Sequence, residues 1–72
     1  MKSKRTVIEN QRYKEFHENC VGIDYVEWEN GDTGYIYFEE SVSGNRAEVF
    51  YKTLQAAQIE YDGADEYFRS GN

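Results

Sequence analysis

The sequence contains no proline and a single cysteine, Cys20. Without proline, backbone turns must be made by Gly, Asn, Asp and Ser. With one cysteine no intrachain disulfide can form, and the cysteine count carries no mark of a secreted scaffold. No apolar segment follows the N-terminal lysines, and no stretch approaches the roughly 18 apolar residues of a membrane span. Neither a signal peptide nor a span is expected, and a cytoplasmic location is the default. Leucine is almost missing as well: one Leu stands with five Val, four Ile and four Phe, 14 of 72 residues in all. At that apolar level, high net charge borders on disorder. Seven Tyr and one Trp shift the balance, because each large ring buries roughly 150–250 Å². One small domain is implied, with an aromatic-packed core. A flexible basic arm is expected at residues 1–5 and a frayed tail at 70–72.

Positive charge is missing from the middle of the chain. Between Glu15 and Glu40 there is no Lys or Arg, against eight acidic residues. The first 14 residues carry Lys2, Lys4, Arg5, Arg12 and Lys14 against Glu9, a balance of +4. The other 58 carry Arg46, Lys52 and Arg69 against 13 acids, or −10, which gives the net charge of −6. A body of that charge repels nucleic acid and anionic membrane and attracts basic protein surfaces. The short basic arm reads as a solvated terminus.

Patterning predicts an α+β domain. Thr6 and Glu9 fit a capping box, and Ile8, Tyr13, Phe16 and Cys20 follow at helical spacing, predicting a helix over 6–19. A strand over 6–8, favoured by β-branching, is the rival. Residues 22–40 read as a β-hairpin: two alternating segments flank the turn chemistry of Asn30, Gly31, Asp32, Thr33 and Gly34. A loop with an odd residue count, such as the five residues 30–34, puts Val26, Trp28, Ile36 and Phe38 on one face. Tyr25, Glu27, Glu29, Tyr35, Tyr37 and Glu39 then share the other. A two-residue turn mixes the sets. After a linker at 41–44, Asn45 and Glu48 repeat the capping pattern, and Val49, Phe50, Leu54 and Ala57 form a stripe, predicting a helix over 46–57. Residues 58–62 either extend it or form a short third strand, and Gly63 ends whichever is present. A hairpin alone is unstable in water, so the helices are expected to cover its apolar face.

No catalytic or metal motif emerges. His17 and Cys20, the only residues of their kinds, lack an orienting partner and an oxyanion site. With Glu15 and Glu18 they fall short of a zinc set, and no calcium loop is present. No cofactor is expected, and the chain reads as non-enzymatic. The constellation with most content is the hairpin's outer face with its turn and rim: Tyr25, Glu27, Glu29, Asp32, Tyr35, Tyr37, Glu39 and Glu40. Like charges across a sheet destabilise it, so such a row calls for an explanation. It is either a solvated edge charged against aggregation or a docking face for a Lys/Arg-rich protein, with tyrosines supplying contact area. In size and charge the chain is similar to phage-encoded inhibitors that mimic DNA, a likeness of class properties carried by no motif. The functional expectation is an acidic protein-interaction module that inhibits a nucleic-acid-handling protein by docking on its basic surface. Direct nucleic-acid binding is not expected, because the acids repel phosphate. The alternative is a structural subunit that homo-oligomerises through its Tyr-rich sheet face. Trp28, Phe16, Phe38, Phe50 and Tyr61 are assigned to the core.

Overall fold

The structure, a computed structural model, describes residues 4–70. Four strands, β1 (Arg5–Glu15), β2 (Asn19–Trp28), β3 (Thr33–Ser41) and β4 (Arg46–Tyr51), precede one helix, α1 (Leu54–Ser70). The strands form an antiparallel meander in chain order, with β1 and β4 as its edges. The expected α+β class holds, and the 22–40 hairpin is β2–β3. The predicted helix over 6–19 is instead β1, as the β-branched run Thr6, Val7, Ile8 favours. The predicted helix over 46–57 is β4 followed by the first turn of α1, and residues 58–62 are helical. Gly63 does not end the helix, which continues to Ser70. Of the expected basic arm, residues 1–3 lie outside the described residues, and Arg5 already pairs with Trp28 in the sheet. Residues 71–72 of the expected tail also lie outside them.

Two of the turns share one design. Trp28 N–H donates to Asp32 O (2.8 Å) and Gly31 N–H to Trp28 O (2.9 Å), leaving a three-residue loop. Ser41 and Asn45 enclose the loop 42–44 in the same way, with Gly44 N–H bonded to Ser41 O (2.9 Å). Each loop closes on a glycine with positive φ, 95° at Gly31 and 98° at Gly44, where a β-carbon is disfavoured. The loop enclosed by Trp28 and Asp32 therefore has an odd residue count, and the predicted face sets hold for their members on the strands, Glu29 lying in the turn. The register is tighter than the five-residue loop implied: Tyr35 pairs with Tyr25.

The tyrosine-bearing face is the one α1 covers. Val21, Ile23 and Tyr37 from the sheet pack with Ala57 and Ala64, flanked by Phe16, Tyr35, Tyr51, Leu54, Tyr61 and Phe68. The two alanines allow close approach between helix and sheet. Lys14 joins β1 to the helix through Asp65 (2.9 Å). On the open face Val26, Ile36 and Phe38 are also buried, because the sheet curls over itself. Two bulges in β1, at Val7/Glu9 and Asn10/Arg12, increase its twist. The Asn10 side-chain amide closes the second, donating to Arg12 O at 2.9 Å. One ion pair then links the two edge strands across the open face: Arg5 of β1 reaches Glu48 of β4 at 2.7 Å. Arg46 bonds Glu48 (2.7 Å) and Glu40 (3.1 Å) and lies 4.2 Å from the centroid of the Phe38 ring.

The helix begins where Thr53 Oγ1 accepts from Ala56 N–H (3.1 Å), a side-chain cap. Gly63 sits in mid-helix on the solvent side, and a β-carbon there would meet nothing within 4 Å. Gly63→Ala should accordingly stabilise the domain by about 0.5–1 kcal/mol. A thermal melt followed by circular dichroism should show a midpoint higher by a few degrees.

Candidate interaction surface

The eight residues singled out from the sequence do not form one surface. Glu27 pairs with Thr33 and Glu39 with Val21, six residues apart along β3, or roughly 20 Å at strand spacing. Glu40 points to the open face, toward Arg46. On the helix side, Tyr37 is 4% exposed and part of the core. Tyr25 and Tyr35 are half-buried against each other, with ring centroids 5.1 Å apart. The expectation of an outward tyrosine face is corrected on this point. A tyrosine ring fills an apolar layer while its hydroxyl reaches the polar rim, and Tyr35 and Tyr37 do so beneath α1.

Three tyrosines hold carboxylates, Tyr37 and Tyr51 at that rim and Tyr13 on the open face, where it pairs with Gly22. Tyr37 donates to Glu39 (2.7 Å), Tyr51 to Glu60 (2.6 Å) and Tyr13 to Glu15 (3.0 Å). Burial, reinforced by Glu39, pushes the Tyr37 phenol well above its ordinary range. The bond to Glu15, assisted by Cys20, pushes Tyr13 up to about 12. Tyr51 is raised chiefly by Glu60. In the opposite sense, Glu48 is lowered, first by Arg5 and then by Arg46, and Asp65 by Lys14 and Arg69. These carboxylates are committed to intramolecular partners.

The acids at the β2–β3 turn differ. Glu27, Glu29 and Asp32 are exposed, and among the described residues no ion pair reaches them. The turn itself is fixed, with Asn30 Oδ1 accepting from Asp32 N–H at 3.0 Å. Trp28 stands between these acids, half-buried, its ring edge-on to Phe50 at 5.0 Å. Phe50 is 41% exposed. Two shallow depressions flank Trp28. One is lined by Lys4, Thr6, Glu27 and Glu29. The other is lined by Asn30, Asp32, Thr33, Phe50 and Lys52. An aromatic pair is thus present at the turn, with Glu29 and Asp32 beside it and Lys4 and Lys52 in the same depressions, built on Trp28 and Phe50 rather than on the tyrosines. The sequence reading placed both rings in the core. Parity did group Trp28 with Val26, Ile36 and Phe38, but it could not show that no helix covers that face.

His17 is exposed in the β1–β2 loop, with Nε2 3.9 Å from Glu18, while Cys20 is half-buried on β2. Among the described residues no group of three His, Cys, Asp or Glu side chains is placed to hold a metal ion. Nor is any helix there long and apolar enough to cross a membrane. No family model, curated protein or solved structure matches the chain.

Proposed function

We propose that the chain is a non-enzymatic interaction module whose β2–β3 end docks on a Lys/Arg-rich protein surface. The carrying observation is the unequal use of charge. Arg5, Lys14, Arg46 and Arg69 are drawn into ion pairs with Glu40, Glu48 and Asp65. Glu27, Glu29 and Asp32 keep their charge for solvent or a partner. Aromatic anchors with a charged rim suit recognition, since rings supply contact energy and charges select the partner and speed encounter. Surfaces dense in Lys and Arg include nucleic-acid-binding grooves, so the reading extends to an inhibitor that occupies such a groove in place of DNA or RNA. Self-association through the Tyr-rich face draws no support, because α1 lies on that face.

The test begins with partners captured on the immobilised chain from its native source and identified by mass spectrometry. For a captured partner, Glu27→Lys with Glu29→Lys should weaken binding at least about tenfold, or about 1.4 kcal/mol, with the melting curve unchanged. Binding should fall with salt, and a nucleic acid bound by that partner should compete. Affinity unaffected by the double reversal would remove the turn from the mechanism.

A further inference from the structure

We infer that β4 is a self-pairing edge, through which two copies of the chain join their sheets antiparallel across a two-fold axis. This inference rests on backbone geometry and is independent of the reading above. Ser41 N–H bonds Asn45 O at 2.9 Å. In phase with it, the pairs Glu39–Ala47, Tyr37–Val49 and Tyr35–Tyr51 exchange the β3–β4 hydrogen bonds. The intervening residues, Arg46, Glu48 and Phe50, therefore turn their N–H and C=O groups outward. The strand's residues from Arg46 to Phe50 are exposed, and its register with β3 is unbroken. β1, the other edge, is interrupted by two bulges, which blunt an edge against pairing.

Charge selects the occupant and the register. Outward hydrogen-bonding residues must face one another, so Arg46 can lie opposite Glu48, Phe50 or Arg46 of a second copy. Opposite Phe50 it would bring Glu48 against Glu48, and opposite Arg46 it would meet its own charge. Opposite Glu48 of the second copy, each Arg46 joins the Arg46–Glu48 pair of its own chain (2.7 Å) to that of the partner in one symmetric network, with Ala47 facing Ala47 on the axis. A register centred on Val49 would set Glu48 opposite Phe50 and leave it without a charge partner, and one centred on Phe50 would oppose Glu48 to Lys52, which lies beyond the strand's end. The edge is thus complementary to itself when centred on Ala47.

In a symmetric pair, Ala47 and its copy occupy a non-hydrogen-bonded position, where Cα atoms lie about 4.5 Å apart, within disulfide reach. The experiment uses the full chain with Cys20→Ser, so that an introduced cysteine is alone. Under mild oxidation Ala47→Cys should form a covalent dimer of twice 8.5 kDa. Val49→Cys, which would face Asn45, should remain largely uncrosslinked. Sedimentation of the unmodified chain should show a dimer that dissociates on dilution, and Ala47→Lys, exposed in the monomer, should abolish it with the fold intact by circular dichroism. A monomer at all concentrations, or a dimer that Ala47→Cys does not capture, overturns the proposal.

Discussion

Gly22→Val should destabilise the domain by about 1–3 kcal/mol, even though valine is much the better strand residue. Gly22 faces the open side of β2, directly paired with Phe38. A β-carbon there would overlap the Phe38 ring and stand 2.6 Å from the carbonyl oxygen of Arg12. Neither obstacle yields readily. Phe38 is 6% exposed and lies beneath the Arg46 guanidinium. The Arg12 carbonyl is backbone, held by the Asn10 amide where β1 bulges. For a chain of this length total stability is about 4–11 kcal/mol, so the loss is a large fraction. At about 4–8 °C per kcal/mol, the thermal midpoint should fall by roughly 5–20 °C. A double-mutant cycle isolates the cause. Phe38→Ala costs stability by itself, but in that background Gly22→Val should cost less, because the ring it strikes is gone. A melt of Gly22→Val at or above that of the parent would show that the open face is not closed as described.

That closure explains what was legible in the sequence and what was not. The β2–β3 hairpin was legible because period-two alternation and a glycine-bearing turn agree locally. Parity then sorted side chains correctly: Val26, Trp28, Ile36 and Phe38 share one face, and Tyr25, Tyr35, Tyr37 and Glu39 the other. Which face the helix would cover was not legible, since a tyrosine can be core or contact surface. The edge strands were misread for a related reason. Thr6 with Glu9, and Asn45 with Glu48, imitate capping boxes, but Glu48 is on β4, bonded to Arg5 and Arg46. The stripe through Val49, Phe50, Leu54 and Ala57 runs across a strand end and a helix start. Thr53, the residue that does cap α1, has alanine three positions on, so it lacks the Glu or Gln that marks a box. The candidate site was half legible: Glu27, Glu29 and Asp32 came from charge alone. Trp28 and Phe50 needed the knowledge that a single helix serves a two-faced sheet.

Tyr37→Phe should lower stability at neutral pH yet flatten its decline in alkali. The Tyr37 ring is 4% exposed, and its hydroxyl bonds Glu39 at 2.7 Å with Glu60 and Tyr51 near it. Ionising it in place would put a phenolate in the core beside two carboxylates, so its pKa is raised, first by burial and then by Glu39. In the unfolded chain it ionises near pH 10. The folded state therefore holds this proton more tightly. Its stabilisation is complete below about pH 10 and is lost as pH rises toward the folded pKa. Tyr13, held up to about 12, and Tyr51 act in the same direction. In the parent, alkaline unfolding should therefore coincide with a rise in phenolate absorbance. At pH 7 the phenylalanine variant loses one hydrogen bond to a carboxylate, about 1–2 kcal/mol given that Glu39 regains water. Above pH 10 it should release about one proton fewer on unfolding, making the slope of stability against pH shallower by up to about 1.4 kcal/mol per unit. Tyr67→Phe, at a position 70% exposed, should leave stability at pH 7 nearly unchanged. Urea titrations at a series of pH values measure both stability and slope. An unchanged slope in Tyr37→Phe would mean that this phenol ionises as freely in the folded protein as in the unfolded chain, which a ring enclosed between β3 and α1 cannot do.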